Sequence, residues 1–455
     1  MNSWIRDAVF YHIYPLGLCG APRKNDFTGK PEGRLNRIRD WIGPMKEIGT
    51  NALYLGPVFE SSSHGYDTAD YRLVDRRLGT NADLKELSVI LHEKGIRLVL
   101  DGVFNHSGRD FVPFKDLLIN KDRSVYRDWF SGINFSARSP YGDPFGYNGW
   151  NGDLSLVKFN HADPDLRNYL FESIRFWKDE FGIDGLRLDA ADSLDFDFMR
   201  ALSGFCRGLD PDFWLMGEVI HGDYRRWANH ETLDSVTNYE LYKGLWSSHN
   251  DHNYFELAYS LNRLFGQDGI YSGLALYNFA DNHDVDRIAS KLKNPAHLYP
   301  VNILLYTMPG IPSVYYGSEW GIRGLRTTGA DADLPLRPAL FISGAPFNSD
   351  NAAVRETVKK LGGIRHENTA LKYGSYRQLL VNMNQFAFAR ESGGRKAIIC
   401  VNSSDKTANV TFGLPGQWPA RWKDLLGRGE IFEAGHGNLN LRLDPGWGKI
   451  LEPLN

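Results

Sequence analysis

Short apolar runs alternate with amphipathic stretches along most of this chain, and the alternation predicts a βα rhythm. Residues 8–14, 52–58 and 96–104 read as strands, while residues 34–48 and 83–93 carry apolar side chains at helical spacing. Helices over 165–181 and 197–208 follow, with strands over 185–188, 213–217, 235–239, 274–279 and 313–316. That makes eight strands, the number that closes a parallel barrel, so the fold class is α/β with a (β/α)8 TIM barrel. Two stretches depart from the rhythm. The first is loop-like and crowded with Trp129, Phe130, Phe135, Tyr141, Phe145, Tyr147 and Trp150, and reads as an insertion after the third strand. A loop that long at a barrel rim walls the active site, with about half of its aromatics assigned to a small core of its own. The second, from residue 373, changes to short alternating runs such as 385–390, 396–402 and 407–412, the pattern of an all-β sandwich. The expected division is a barrel over 1–106 and 164–372, an inserted domain over 107–163 and a C-terminal sandwich over 373–455.

Four apolar runs end in acids, amides or imidazoles: Asp101-Gly-Val-Phe-Asn-His106, Gly185-Leu-Arg-Leu-Asp-Ala-Ala-Asp192, Gly217-Glu-Val-Ile220 and Phe279-Ala-Asp-Asn-His-Asp284. A buried strand presents polar side chains only where it leaves the core, so one rim collects these carboxylates from distant segments. Alternation puts Arg187 and Asp189 on the same side of their strand, facing the axis, and the arginine is expected to keep Asp189 ionised. Glu218, among apolar neighbours, is the expected acid/base with a raised pKa. Asp284 supplies a third carboxylate that can hold sugar hydroxyls and oppose positive charge. His106 and His283, each beside an asparagine, are expected to donate to hydroxyls of one sugar. In His64-Gly-Tyr-Asp67, Tyr66 can stack on a ring and Asp67 can hold Arg187, with a plain turn as the competing account.

A net charge of −3 with no basic stripe argues against nucleic acid and acidic membranes as partners and favours a neutral substrate. Aromatic residues at 13%, including 12 Trp and 22 Tyr, exceed the needs of a core and suit stacking on sugar rings. No apolar run is long enough to cross a bilayer, and the first residues show no secretory signal. Cys19, Cys206 and Cys400 lack metal-ligand spacing and read as reduced and buried, so a cytoplasmic location is expected.

The four strand ends, in this order, resemble the signatures of glycoside hydrolase family 13, the α-amylase family. Similar to its patterns too are Gly49-Thr-Asn-Ala-Leu-Tyr-Leu55, Leu156-Val-Lys-Phe-Asn160 and Gly310-Ile-Pro-Ser-Val-Tyr-Tyr-Gly317, so the resemblance covers nearly the whole chain. It implies Asp189 as nucleophile, Glu218 as general acid/base and Asp284 as transition-state stabiliser of a retaining mechanism. It also implies Tyr66, Asp101, His106, Arg187 and His283 around the sugar before the scissile bond, and Asp333 with Arg337 at the next sugar outward. Leu156–Asn160 and Tyr126-Arg-Asp-Trp-Phe130 resemble the neopullulanase and cyclomaltodextrinase group, although Val219-Ile220 precedes His221 where that group has an aromatic. The chain also opens directly on the first strand, without that group's N-terminal β module, which leaves the oligomeric state open. The implied activity is hydrolysis of α-1,4-glucosidic bonds in malto-oligosaccharides, cyclic maltodextrins or branched cyclic maltosides, with α-glucan oligosaccharides as partners. The alternatives are a transglycosylase or isomerising enzyme of the same family and a non-catalytic glycan-binding protein. No organic cofactor is required. Calcium is the one ion left open: Asn105 resembles a family ligand, Asp192-Ser193 replaces a common Lys-His, and loops at 25–26 and 143–153 carry oxygen ligands.

Overall fold

The computed structural model describes residues 4–329, 331–342, 349–416 and 418–454; residues 1–3, part of the N-terminal stretch searched for a signal, lie outside them. Eight parallel strands form the barrel: β1 (Phe10–Ile13), β2 (Ala52–Leu55), β3 (Arg97–Gly102), β4 (Gly185–Leu188), β5 (Trp214–Gly217), β6 (Ser235–Val236), β7 (Tyr277–Phe279) and β8 (Ile311–Tyr315). They pair in chain order, β8 pairs with β1, and a single parallel bridge between Thr237 and Tyr277 completes the ring. Alternation divides every strand between two cores. Phe10, Tyr54, Val99, Trp214, Tyr277 and Ile311 fill the axis, with the Phe10 ring 5.0 Å from Trp214 and 5.4 Å from Tyr277. Tyr11, Leu53, Leu98, Leu186 and Leu215 face outward against the helices.

Local signals set the helix ends. α1 (Asn81–Glu93) starts on a capping box in which Thr80 and Asp83 bond each other's backbone amides. α2 (Pro164–Phe181) begins with the Asp163 side chain accepting from Leu166 N and Pro164 in the first turn, and stops at left-handed Gly182. Two expected elements are revised. Residues 34–48 are a 3-10 turn (Arg34–Ile38) followed by a helix (Arg39–Glu47), not one helix. The strand expected over 235–239 ends at Val236, because Asn238 accepts from Leu241 N and starts a helix at Tyr239.

The insertion holds a three-stranded antiparallel sheet built from His106–Gly108, Gly149–Trp150 and Asp153–Lys158. Trp129, Phe130, Phe145 and Tyr147 are buried in a layer continuous with the barrel's outer core, with Trp129 5.3 Å from Tyr169 of α2, while Phe135 and Tyr141 are exposed. From Ser375 onward every strand pairs antiparallel, in a six-stranded and a two-stranded sheet. Ile398, Cys400, Val410, Trp422 and Leu441 fill the layer between them.

Candidate active site

Barrel hydrogen bonds continue past the strand ends: Asp189 N donates to Gly102 O (3.1 Å) and Glu218 N to Leu188 O (3.0 Å). Both acids are therefore placed by the sheet rather than by a loose loop. Gly217, just before Glu218, lies where a Cβ would come within 2.5 Å of Leu233 and 2.8 Å of Ala191, so only glycine lets that strand end pack this closely.

One guanidinium organises the rim. Arg187 Nη1 donates to both Asp101 oxygens (2.9 and 3.1 Å) and to Asp189 Oδ1 (3.0 Å), while Nη2 meets Glu218 Oε2 at 2.8 Å. The expectation that Arg187 serves Asp189 is thus too narrow, since three carboxylates share it. Asp67 is not among them: its carboxylate accepts from Ser63 Oγ (2.7 Å) and Gly65 N (3.1 Å), so it shapes its own turn instead of holding Arg187. Tyr54 Oη donates to Asp101 Oδ2 at 2.8 Å and Tyr66 Oη does so at 3.2 Å. The Tyr66 hydroxyl also bonds His283 Nε2, and the two rings lie nearly parallel, 5.6 Å apart.

Asp284 has different partners. Its Oδ2 is 3.0 Å from His283 Nε2, and its Oδ1 accepts from Arg337 Nη2 at 2.8 Å. Arg337 also donates to the His283 carbonyl (2.9 Å) and to Asp333 Oδ2 (3.2 Å), so the outer pair reaches back to the inner site. Burial pushes the Asp284 carboxyl up, but His283 and Arg337 outweigh it and hold the group well below the usual carboxylate range. Glu218 goes the other way: burial and the Asp284 charge raise it against the pull of Arg187. Asp189 is raised too, by burial and by Glu218 and Asp101, despite Arg187. Two interacting acids of this kind lose their protons in separated steps, so between those steps the pair carries one. Burial drives the His106 imidazole down to about 3, which leaves its ring neutral.

These groups meet at a cavity of about 1070 Å³ lined by Tyr66, His106, Trp150, Asp189, Glu218, Asp284, Asp333 and Arg337. Asp101, Arg187 and His283, only 2%, 3% and 2% exposed, sit one layer behind that wall. His106 Nε2 is 4.0 Å from Asp189 Oδ2 and has no other partner, and the Trp150 ring stacks on His106 at 5.6 Å. Trp150 is thus the aromatic of the insertion that stacks within the site. Sequence reading missed Tyr54, Tyr14, His12 and Tyr239. His12 stacks on Tyr54 at 4.2 Å and meets His283 edge-on at 5.1 Å, while Arg337 lies 4.6 Å over the Tyr14 ring. Strand parity was an available signal, since residues 12 and 54 share the axial face with Phe10 and Ala52.

Ala190, next to Asp189, adopts a left-handed conformation (φ 45°, ψ 46°) that a Cβ disfavours. The turn aims its N–H at Glu218 Oε2, 3.1 Å away, so the strain sits where it joins two of the three acids.

Of the oxygen ligands nominated for calcium, Asp26 and Asp143 have other partners. Asp143 is gripped by both Arg109 amino groups at 2.8 Å and by Ser139, and Asp26 Oδ1 accepts from Thr28 N (2.8 Å) and Gly29 N (3.1 Å). Asn105 Oδ1 is buried and unpartnered, but among the described residues no group of three or more His, Cys, Asp or Glu side chains is arranged to hold a metal ion.

Residues 20–369 match the family model of the α-amylase catalytic domain. A cyclomaltodextrinase from Bacillus sp. is 30% identical over 433 residues, covering 91% of this chain and 75% of that protein. Among solved structures, a debranching enzyme from Nostoc punctiforme superposes with a TM-score of 0.83 at 29% identity, over 99% of both chains. The cyclic α-maltosyl-(1→6)-maltose hydrolase of Arthrobacter globiformis gives 0.82 at 25% identity, over 99% of this chain and 100% of that one. With its barrel, its acid-lined rim and these matches, the chain belongs to the α-amylase family of glycoside hydrolases.

Proposed function

We propose that this protein is a retaining glycosidase that hydrolyses α-1,4-glucosidic bonds in malto-oligosaccharides or cyclic maltodextrins, with Asp189 as nucleophile, Glu218 as acid/base and Asp284 as transition-state stabiliser. The observation that carries the reading is the Arg187 guanidinium, bonded to Asp189 (3.0 Å) and Glu218 (2.8 Å) at once, beneath a cavity that also receives Asp284. Two carboxyl groups on one guanidinium support the short separation of retaining enzymes, roughly 5–5.5 Å, over the wider spacing that admits a water between them.

Glu218 Oε2 is taken by Arg187 and Ala190 N, which leaves Oε1 to carry the shared proton. That proton passes to the glycosidic oxygen as an Asp189 oxygen attacks the anomeric carbon, and the bond to the leaving sugar breaks. In the second half-reaction the Glu218 carboxylate takes a proton from water, the water oxygen attacks the same carbon, and the ester to Asp189 breaks. Asp284, held ionised by its two partners, opposes the positive charge that builds on the ring in both halves. Tyr66 and Trp150 offer ring faces that suit a neutral sugar. Free, buried Cys19, Cys206 and Cys400 support a cytoplasmic location, and among the described residues no helix is long and apolar enough to cross a membrane.

The test is a product panel on maltotriose, pullulan, γ-cyclodextrin and cyclic α-maltosyl-(1→6)-maltose, with the first product's anomer read by NMR. Cleavage giving the α-anomer is expected. Inert substrates throughout, or a β-anomer, would overturn the reading. Added glucose appearing in longer products at the expense of hydrolysis would replace it with the transglycosylase alternative.

A further inference from the structure

Arg287 lies three residues past Asp284, completely buried and outside the wall of the catalytic cavity. Its main-chain N–H donates to Gly324 O (3.0 Å), its Nε to Leu336 O (3.1 Å), and its Nη1 to Tyr316 O (2.7 Å) and Ser318 Oγ (3.3 Å). The guanidinium lies 4.0 Å from the centre of the Tyr315 ring and 4.8 Å from that of Tyr316. Burial raises the Asp281 and Glu319 carboxyl groups, and the Arg287 charge is among the forces opposing it. Asp281 in turn accepts from Ser318 Oγ and from Ile288 N, each at 2.8 Å. The turn after β7 and the end of β8 are thus locked together.

These bonds converge on the backbone around Arg337. Leu336 O accepts from Arg287 and from Tyr315 Oη (3.1 Å), and Pro338 O accepts from Tyr316 Oη (2.9 Å), so the carbonyls on both sides of Arg337 are held. Gly17 packs so closely against the same backbone that a Cβ there would come within 2.4 Å of Arg337 O. From this fixed position the Arg337 side chain reaches Asp284 Oδ1 (2.8 Å) and His283 O (2.9 Å). A closed ring results: the chain runs from Asp284 to Arg287, a hydrogen bond crosses to Leu336, and the guanidinium of the next residue returns to Asp284. Bonds that only tied two loops together could end on any carbonyl. These end on the two that flank Arg337, which with His283 holds Asp284 ionised.

We propose that Arg287 is a positioning residue for Asp284 that acts through Arg337, a role that rests on the glycosidase reading. It fixes the Arg337 backbone so that the Arg337 guanidinium stays on the Asp284 carboxylate while charge builds on the sugar. Arg287 itself has no access to substrate. A displacement of about 1 Å at the reacting centre costs on the order of 10²-fold in rate, so loosening this ring is enough to be seen in kcat.

The test is a double-mutant cycle on kcat with Arg287→Lys, Arg337→Met and the pair, on whichever glucan of the product panel the parent cleaves fastest, with the Tm as a check on folding. Lysine keeps the charge but lacks the planar fork that serves Leu336 O and Tyr316 O together. Arg287→Lys is expected to lower kcat by about 10–10²-fold alone, and by less than about threefold in the Arg337→Met background. Tyr315→Phe takes one donor from Leu336 O and keeps the ring; it should lower kcat by about 2–10-fold, with the same loss of effect beside Arg337→Met. If Arg287→Lys does not fold, Tyr315→Phe decides on the same terms. Arg287→Lys and Arg337→Met should also move the alkaline limb of kcat upward, because burial and the Asp284 charge raise Glu218, and an Asp284 without its arginine raises it further against Arg187 and His283. An unchanged kcat, losses that multiply in the double variant, or a fall in kcat with the alkaline limb unmoved would overturn the proposal. A parent inert on the whole panel would instead sink the glycosidase reading, and the role of Arg287 with it.

Discussion

At the rim of the barrel, Arg187 is enclosed by Asp101, Asp189 and Glu218; at the base, Arg365 and Arg390 are enclosed by carbonyl oxygens. Both ends bury charge, but different groups can relieve it. A carboxyl group in a crowded, dry place takes up a proton, and the raised Asp189 and Glu218 show that response. A guanidinium depressed to about 9 is still charged at neutral pH, so the base keeps its charge among carbonyl oxygens. The rim has turned buried charge into a movable proton, while the base keeps fixed charge against neutral carbonyls.

The largest effects fall on activity at the rim. Asp189→Asn removes the carboxylate proposed to attack and is expected to lower kcat by about 10⁴-fold or more, and Glu218→Gln by about 10²–10⁴-fold. An aryl maltoside with a good leaving group sharpens the roles: it should rescue glycosylation in Glu218→Gln and do nothing for Asp189→Asn. Equal rescue of both would undo the assignment of acid and nucleophile.

Much of this contrast was legible in the sequence at one end and hidden at the other. Asp101, Asp189, Glu218 and Asp284 terminate or follow apolar runs, so their place on one rim follows from strand direction alone. His12 and Tyr54 lie inside such runs and were not singled out, although parity places them on the axis. The bond from Arg337 to Asp284 joins two loops with no periodicity between them. Arg6, Arg365, Lys372 and Arg390 have no motif spacing, because the barrel base and the C-terminal sheet bring them together only in three dimensions. The sharing of Arg187 among three acids was equally out of reach, since spacing gives neighbours along a strand and not across the ring.

Stability gives the next contrast. Arg187→Met leaves three carboxylates facing one another and is expected to destabilise the fold by about 3–5 kcal/mol in urea unfolding. Arg390→Met strips donors from three carbonyls but also removes an unbalanced cation, so its cost should be about 1–3 kcal/mol. Similar losses for the two would mean that the rim acids do not depend on Arg187. The pH dependence follows from the directions of shift. Asp189 and Glu218 have folded pKa values above their unfolded ones, so their contribution is fully present below about pH 4 and is lost as pH rises through the folded values. Asp284 is depressed, so its contribution is present above about pH 4 and lost as pH falls through its folded value. Asp189→Asn removes one of the first kind, and should gain about 1–2 kcal/mol over the parent between pH 5 and pH 8. A gain that does not grow with pH would show that Asp189 is not the strained acid.

The smallest effects concern the backbone, where the two ends differ again. Each has a left-handed residue, but at the base it is Gly310 (φ 112°) and at the rim it is Ala190 (φ 45°). A Cβ on Gly310 would come within 2.6 Å of both Leu276 O and the Asn278 amide, so Gly310→Ala forces backbone apart and should cost about 2 kcal/mol or more. Ala190→Gly relieves a conformation that disfavours a Cβ by roughly 1–2 kcal/mol, but it also loosens the unfolded chain by about 0.4–1 kcal/mol. The net gain should be below about 1 kcal/mol, read as a small rise in Tm. What matters is whether kcat falls with it. If the strained turn serves to aim Ala190 N–H at Glu218, a more flexible glycine should lower kcat while stabilising the fold, and shift the pH profile of kcat toward a higher acid pKa as the Ala190 bond to the Glu218 carboxylate weakens. An unchanged profile would make the strain at Ala190 a consequence of threading the chain between β4 and the following turn, with no part in setting the proton on Glu218.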